Sequence, residues 1–145
     1  MFDTVVIATD GSESGRRAVE AALDLAATFG AAVHALYVVD ESRVDALPED
    51  VHEEVHAALE SQAAESLAAV RGASDREVTV AVREGRPATE ITAYAREVEA
   101  DVVATGTRGR DGEHSFLLGS VAEAVVRTCP VPVLTVRQLE AGVEG

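Results

Sequence analysis

Asp101-Val102-Val103-Ala104-Thr105-Gly106-Thr107-Arg108-Gly109 is the stretch on which the fold turns. An apolar run leads directly into a glycine-rich loop. Runs like this read as strands buried on both faces, the kind that parallel sheets contain. Nine residues follow, Arg110 to Leu118, and then Gly119-Ser120. From about Ser120 to Thr128 the pattern is helical, and Pro130 ends it. The order strand, long glycine loop, helix belongs to α/β architecture.

Working outward, the rest of the chain repeats that alternation. Thr4 to Thr9 is nearly continuous apolar, and Asp10-Gly11-Ser12 follows as a loop. Ser14 to Phe29 is helical, with Ala18, Ala22, Leu25 and Phe29 on one face and Gly30 placed as a C-terminal cap. Ala32 to Val39 reads as the second strand, and Asp40 to Leu47 as a polar connection. Pro48 suits the first turn of the next helix, with Glu49 and Asp50 at its positive end. That helix runs to about Val70, with Val51, Val55, Leu59 and Leu67 inward. Glu77 to Arg83 is the third strand. Pro87 opens a helix whose stripe is Ile91, Ala95 and Val98. Asp101 to Thr105 is the fourth strand and Val131 to Val136 the last. The pattern predicts one α/β domain: an open five-stranded, mostly parallel, Rossmann-like sheet with helices on both faces. The domain is expected over residues 1–138, with a polar tail over 139–145.

Composition narrows the function. The chain has 145 residues, a size suited to one domain, and 47% of them are hydrophobic. No run is long and apolar enough for a membrane span, and Met1-Phe2-Asp3 does not open a signal peptide, so a soluble, cytoplasmic protein is expected. The formal net charge is −14. Such a surface disfavours nucleic acid and anionic membranes as partners. Every basic residue is Arg. Without Lys there is no Walker A loop and no Schiff-base chemistry. This acidic, lysine-free composition resembles that of proteins from salt-accumulating, halophilic cells. A single cysteine, Cys129, excludes an internal disulfide and reads as a buried structural thiol.

The glycine loop has the chemistry of an anion site. Glycine lets backbone approach a phosphate with no Cβ in the way. The helix start after Gly119 offers unpaired N–H groups and the positive end of a dipole. The Ser120 hydroxyl adds a donor. Arg108 and Arg110 place positive charge in a molecule that has little of it. The same glycines would also serve a bare turn between strand and helix, but structureless loops this long are usually functional. In an open parallel sheet, ligands bind beyond the carboxyl ends of the strands where strand order reverses. If the first and fourth strands flank that point, Asp10-Gly11-Ser12 faces the loop.

Gly106-x2-Gly109-x9-Gly119-Ser120 matches the ATP-binding signature of the universal stress protein family. The resemblance extends over nearly the whole chain. Val5-Val6-Ile7-Ala8-Thr9-Asp10-Gly11-Ser12 resembles the family's first strand and loop, and His34-Ala35-Leu36-Tyr37-Val38-Val39-Asp40 its second strand. The segments from Gly119 to Glu123 and from Cys129 to Leu134 resemble its C-terminal helix and strand. The resemblance implies an adenine nucleotide alpha hydrolase-like fold and a bound ATP or other adenine nucleotide, with Mg²⁺ or Mn²⁺. It implies Ala8 and Val38 at the adenine and ribose, and Thr9 and Asp10 beside the nucleotide, Asp10 near the ribose or the metal. Gly106, Thr107, Arg108, Gly109, Arg110 and Gly112 would wrap the ribose and phosphates, and Gly119, Ser120 and Val121 would hold the phosphates. It also implies a homodimer through Val131 to Val136. The chain departs from the pattern in placing Asp111, Glu113 and His114 inside the loop. Two carboxylates there repel a triphosphate unless a divalent metal or bulk salt intervenes.

The function expected is regulatory nucleotide binding in a stress response, with at most slow ATP hydrolysis or autophosphorylation, since no residue is placed as a base for water. A second expectation is a dimeric interaction module that binds no nucleotide. A third comes from His52-Glu53-Glu54-Val55-His56, which fits the His-Glu-x-x-His pattern of zinc hydrolases. Against it, Val51 and Val55 claim the core face and no obvious third ligand follows on a paired helix. The acidic stretch from Glu49 to Glu65 otherwise reads as a solvated helix face.

Overall fold

The strands expected from the apolar runs all form, and they pair in parallel. The computed structural model describes residues 2–10, 13–106 and 120–136. Its elements, in chain order, are β1 (Thr4–Ala8), α1 (Glu13–Phe29), β2 (Ala32–Asp40), α2 (Glu41–Asp45), a 3-10 turn (Glu49–Val51), α3 (His52–Ala73), β3 (Val78–Gly85), α4 (Pro87–Glu97), β4 (Val102–Gly106), α5 (Ser120–Thr128) and β5 (Val133–Val136). The sheet order is β3-β2-β1-β4-β5. β1 is therefore central, with β2 on one side and β4 on the other.

The strand sequences explain the layering. Side chains alternate across a strand, so residues two apart share a face. Val5 and Ile7 of β1, Val33, Ala35, Tyr37 and Val39 of β2, and Val102 and Ala104 of β4 pack with α1 and α3. Val6 and Ala8, Leu36, and Val103 point the other way and pack with Ile91, Tyr94 and Ala95 of α4 and Val125 of α5. Two apolar layers on one sheet account for strands with no polar alternation. The core is built of small side chains, and among the described residues the largest fully buried ones are Ile7 and Leu36.

Three local differences from the sequence reading have physical causes. Asp40 to Leu47 is no mere polar connection. Asp40 ends β2 and caps α2, its carboxylate accepting from the Ser42 N–H at 3.0 Å and the Ser42 hydroxyl at 2.6 Å. Phe29 does not share the inward stripe of α1. It is 47% exposed and meets Phe2 edge to face at 5.2 Å, and Ala26 takes the core position instead. β5 starts at Val133, not Val131. Pro132 has no N–H for a ladder, and its carbonyl accepts from Val103 N at 2.9 Å.

α1 and α4 end in the same way with different residues. Gly30 sits at φ 65°, its N–H bonded to Ala27 O and that of Ala31 to Ala26 O. Glu99 sits at φ 54°, with N–H bonds from Glu99 to Arg96 O and from Ala100 to Ala95 O. Both are Schellman motifs, which need one left-handed residue. A Cβ on Gly30 would meet no atom within 4 Å, so conformational strain alone opposes it. Gly30→Ala is expected to cost about 1 kcal/mol, and Glu99→Gly to gain about 0.5–1 kcal/mol. Urea unfolding midpoints of the two variants should move in opposite directions.

Across β2, β3 and α4 runs a polar chain at the edge of the second layer. Glu97 takes both guanidinium arms of Arg83, at 2.9 and 2.7 Å. Arg83 lies 5.0 Å from the centre of the Tyr94 ring, and the Tyr94 hydroxyl meets His34 Nδ1 at 2.9 Å. The bidentate pair holds the Glu97 carboxyl below its ordinary range. Burial holds His34 below the usual histidine value, which favours the neutral ring in contact with the tyrosine hydroxyl. As pH falls through about 6.5, the unfolded chain takes a proton at this residue before the folded chain does. The contribution of neutral His34 is therefore full above that pH and is lost between it and the lower folded value. Unfolding free energies of wild type minus His34→Gln, measured from pH 8 to 5, are expected to fall on acidification. A flat difference would contradict this.

Candidate functional site

β1 and β4 lie side by side, with Ala8 in register with Thr105. The two strands lead in opposite directions across the sheet, β1 through α1 to β2 on one side and β4 to β5 on the other. Their carboxyl ends therefore form the switch point where open α/β sheets hold ligands. The sequence assigned its candidate residues to this place on the strength of Asp10-Gly11-Ser12 and the Gly106 loop.

Each described candidate has a defined position. Ala8 closes β1. Thr9 is buried, and its N–H donates to Leu36 O at 3.0 Å, which carries the chain past β1 still fastened to β2. The carbonyl of Asp10 accepts from Gln62 Nε2 of α3 at 3.4 Å. Val38 is half-buried and packs against the same apolar cluster that contains Ala8, so the two share one sheet face. Gly106 is the last residue of β4 and pairs with Val136. Ser120 is the first residue of α5, as expected. Val121 is exposed, while Ala122 and Val125 turn inward. Thr107, Arg108, Gly109, Arg110, Gly112 and Gly119 lie outside the described residues, as do Asp111, Glu113 and His114.

Gln62 is the contact that sequence reasoning missed. It flanks the inward stripe of α3, where a polar side chain reads as solvated. Only the fold brings α3 against the segment after β1. His34 likewise has a partner, Tyr94, that nothing in its own neighbourhood announces. Cys129 is half-buried rather than buried, packed at the rim of the second layer.

The His-Glu-x-x-His motif does not assemble as the zinc-hydrolase pattern requires. His52 donates from Nε2 to Leu47 O at 2.7 Å. His56 instead meets Glu84 of β3 through Nε2 at 3.1 Å and Glu60 through Nδ1 at 3.6 Å. The hydrogen bond to Glu84 raises the His56 pKa above its ordinary value, and the charges of Glu84 and Glu60 act in the same direction.

The parallel sheet order defines a doubly wound, Rossmann-like α/β protein. The chain belongs to the universal stress protein family, whose model matches residues 1–137. It is 36% identical over 142 residues to a universal stress protein of Methanocaldococcus jannaschii, with 95% of this chain and 84% of that one covered. The fold is similar to that of the hypothetical protein MJ0577, with TM-score 0.85, 24% identity and coverage of 97% and 99%. It is also similar to a universal stress protein solved in complex with cAMP, with TM-score 0.69, 27% identity and coverage of 94% and 97%. Among the described residues, no helix is long and apolar enough to cross a membrane.

Proposed function

We propose that this chain binds an adenine nucleotide, ATP in the first instance, at the carboxyl ends of β1 and β4, and that nucleotide occupancy is its regulatory signal. The observation that carries the reading is the adjacency of those two strands, whose carboxyl ends Ala8 and Thr105 lie in register just before Asp10 and Gly106. The residues present suit such a ligand. Ala8 and Val38 give one sheet face a small apolar floor for a base, and Gly106 presents backbone without a Cβ. α5 starts at Ser120, and its first-turn amides and dipole favour phosphate. Asp10 would supply one carboxylate to a Mg²⁺ or Mn²⁺ carried in with the phosphates. The metal would neutralise phosphate charge in a protein of net charge −14. A similar protein that holds cAMP supports an adenine ligand.

The proposed dimer contact is the β5 edge. β5 pairs with β4 alone among the described residues, and all of its residues are partly exposed. An apolar edge strand of this kind is a template for pairing with a second copy.

Equilibrium dialysis against ATP, ADP, AMP and cAMP in molar KCl tests the nucleotide reading, with Gly109→Asp as the comparison. The expected result is saturable binding by wild type and none by the variant, which brings a Cβ and a negative charge to the loop. A folded wild type that binds none of the four would leave the dimeric interaction module as the standing alternative.

A further inference from the structure

We propose that His56, Glu60 and Glu84 form a binding site for a divalent first-row transition metal, which fastens the amino-terminal half of α3 to the edge strand β3. One ligand atom from each of the three side chains lies within 4.8 Å of the other two. His56 and Glu60 are four residues apart on α3, so they project from one helix face. Glu84 comes from β3, in register with Val39 of β2, so the third ligand belongs to a separate element. Protein ligands at about 2.0–2.2 Å from a tetrahedral ion stand roughly 3.4 Å apart. The 3.1 Å separation of His56 Nε2 from Glu84 already falls in that range, while Glu60, 3.6 Å from the other ring nitrogen, has to turn toward the same ion.

Electrostatics gives the cluster a reason to take a cation. Two carboxylates share one imidazole, and among the described residues no arginine forms an ion pair with Glu60 or Glu84. At most one of the two negative charges is balanced, on a chain whose net charge is −14. A divalent ion balances both. The donor set selects the ion class: imidazole favours zinc, nickel and related metals, and carboxylates accept them. Mg²⁺ and Ca²⁺ prefer oxygen throughout. A groove of about 460 Å³, lined by Val44, His52, Glu53, His56, Ala57 and Glu60, opens beside two of the three ligands and leaves room for water there. His52 lines that groove without joining the ligand set, because its ring is committed to Leu47 O. The site draws on none of the residues assigned to the nucleotide, so it stands or falls separately from that reading.

The test is Zn²⁺ alone, titrated calorimetrically into metal-free full-length protein without nucleotide, beside thermal unfolding of the same samples. Wild type is expected to bind one Zn²⁺ per chain and to melt at a higher temperature when loaded, since the ion favours the folded state. Glu84→Gln and His56→Gln should each weaken binding by more than the roughly 10–100-fold typical of losing a ligand's hydrogen-bond partner. His52→Gln should bind as wild type does. Circular dichroism establishes that each variant is folded. Several weak equivalents unchanged by Glu84→Gln would mean scattered carboxylate binding and would overturn the proposal. Loss in His52→Gln with retention in Glu84→Gln would overturn it in favour of the two-histidine pair. No binding by wild type would also overturn it.

Discussion

Leu36→Ala is expected to lower the unfolding free energy by about 2–5 kcal/mol, towards the upper end of that range. Leu36 is fully buried and is one of the two bulkiest such residues among those described. Its cluster consists largely of Val and Ala, with Val6, Ala8, Ala95, Val103 and Val125 among them. Short, branched side chains held by strand and helix backbone cannot extend into the space a leucine vacates. The cavity therefore persists, and its cost adds to the lost transfer energy. A domain with a typical 5–15 kcal/mol of stability would lose a large fraction of it. Denaturant titration checks the size, and an unchanged m-value would show that the native state keeps its compactness. A loss below about 1 kcal/mol would mean that the layer collapses around the gap, contrary to its composition.

Asp101→Ala is expected to cost about 2 kcal/mol, with Asp101→Asn costing roughly half as much. One carboxylate oxygen of Asp101 accepts from the N–H of Asp3 at 2.8 Å and of Thr4 at 3.0 Å. The Asp101 N–H in turn donates to Thr4 O at 2.8 Å. This clasp sets the register between the amino ends of β1 and β4. Removing the carboxylate strips two charge-assisted bonds from backbone donors, one of them part-buried. An asparagine keeps one neutral acceptor. Equal losses in the two variants would show that packing, not the carboxylate, holds this corner.

The architecture was legible in the sequence because buried parallel strands leave an unusual trace. Val5 to Ala8 and Val102 to Ala104 show no polar alternation, which few other structures tolerate. Gly30 and Pro87 marked helix boundaries for reasons of backbone conformation that hold whatever surrounds them. What stayed hidden depended on tertiary contact. The turn of α2 rests on one aspartate that reads equally well as loop. The left-handed Glu99 carries no compositional sign, because its conformation is imposed by the turn into β4. At the candidate site, the strand ends and the start of α5 were legible from glycine spacing. Gln62 was not, since residues 52 positions from Asp10 carry no mark of their meeting. The histidine motif shows the reverse error. Spacing along α3 paired His56 with His52, but the fold paired it with Glu84, a partner from a strand.

The central place of β1 also bears on how the chain is made. Thr4 and Asp101 meet although 97 residues separate them. At about 5–20 residues per second, the ribosome completes β1 roughly 5–20 s before β4 exists. In that interval β2 and β3 can pair on one side of it, and α1 and α3 can cover one face. The other edge of Val5–Ala8 stays open, and its second face stays bare until α4 follows. The central strand of the sheet thus waits longest for its final neighbour, and that edge is where a holding chaperone would be expected to bind.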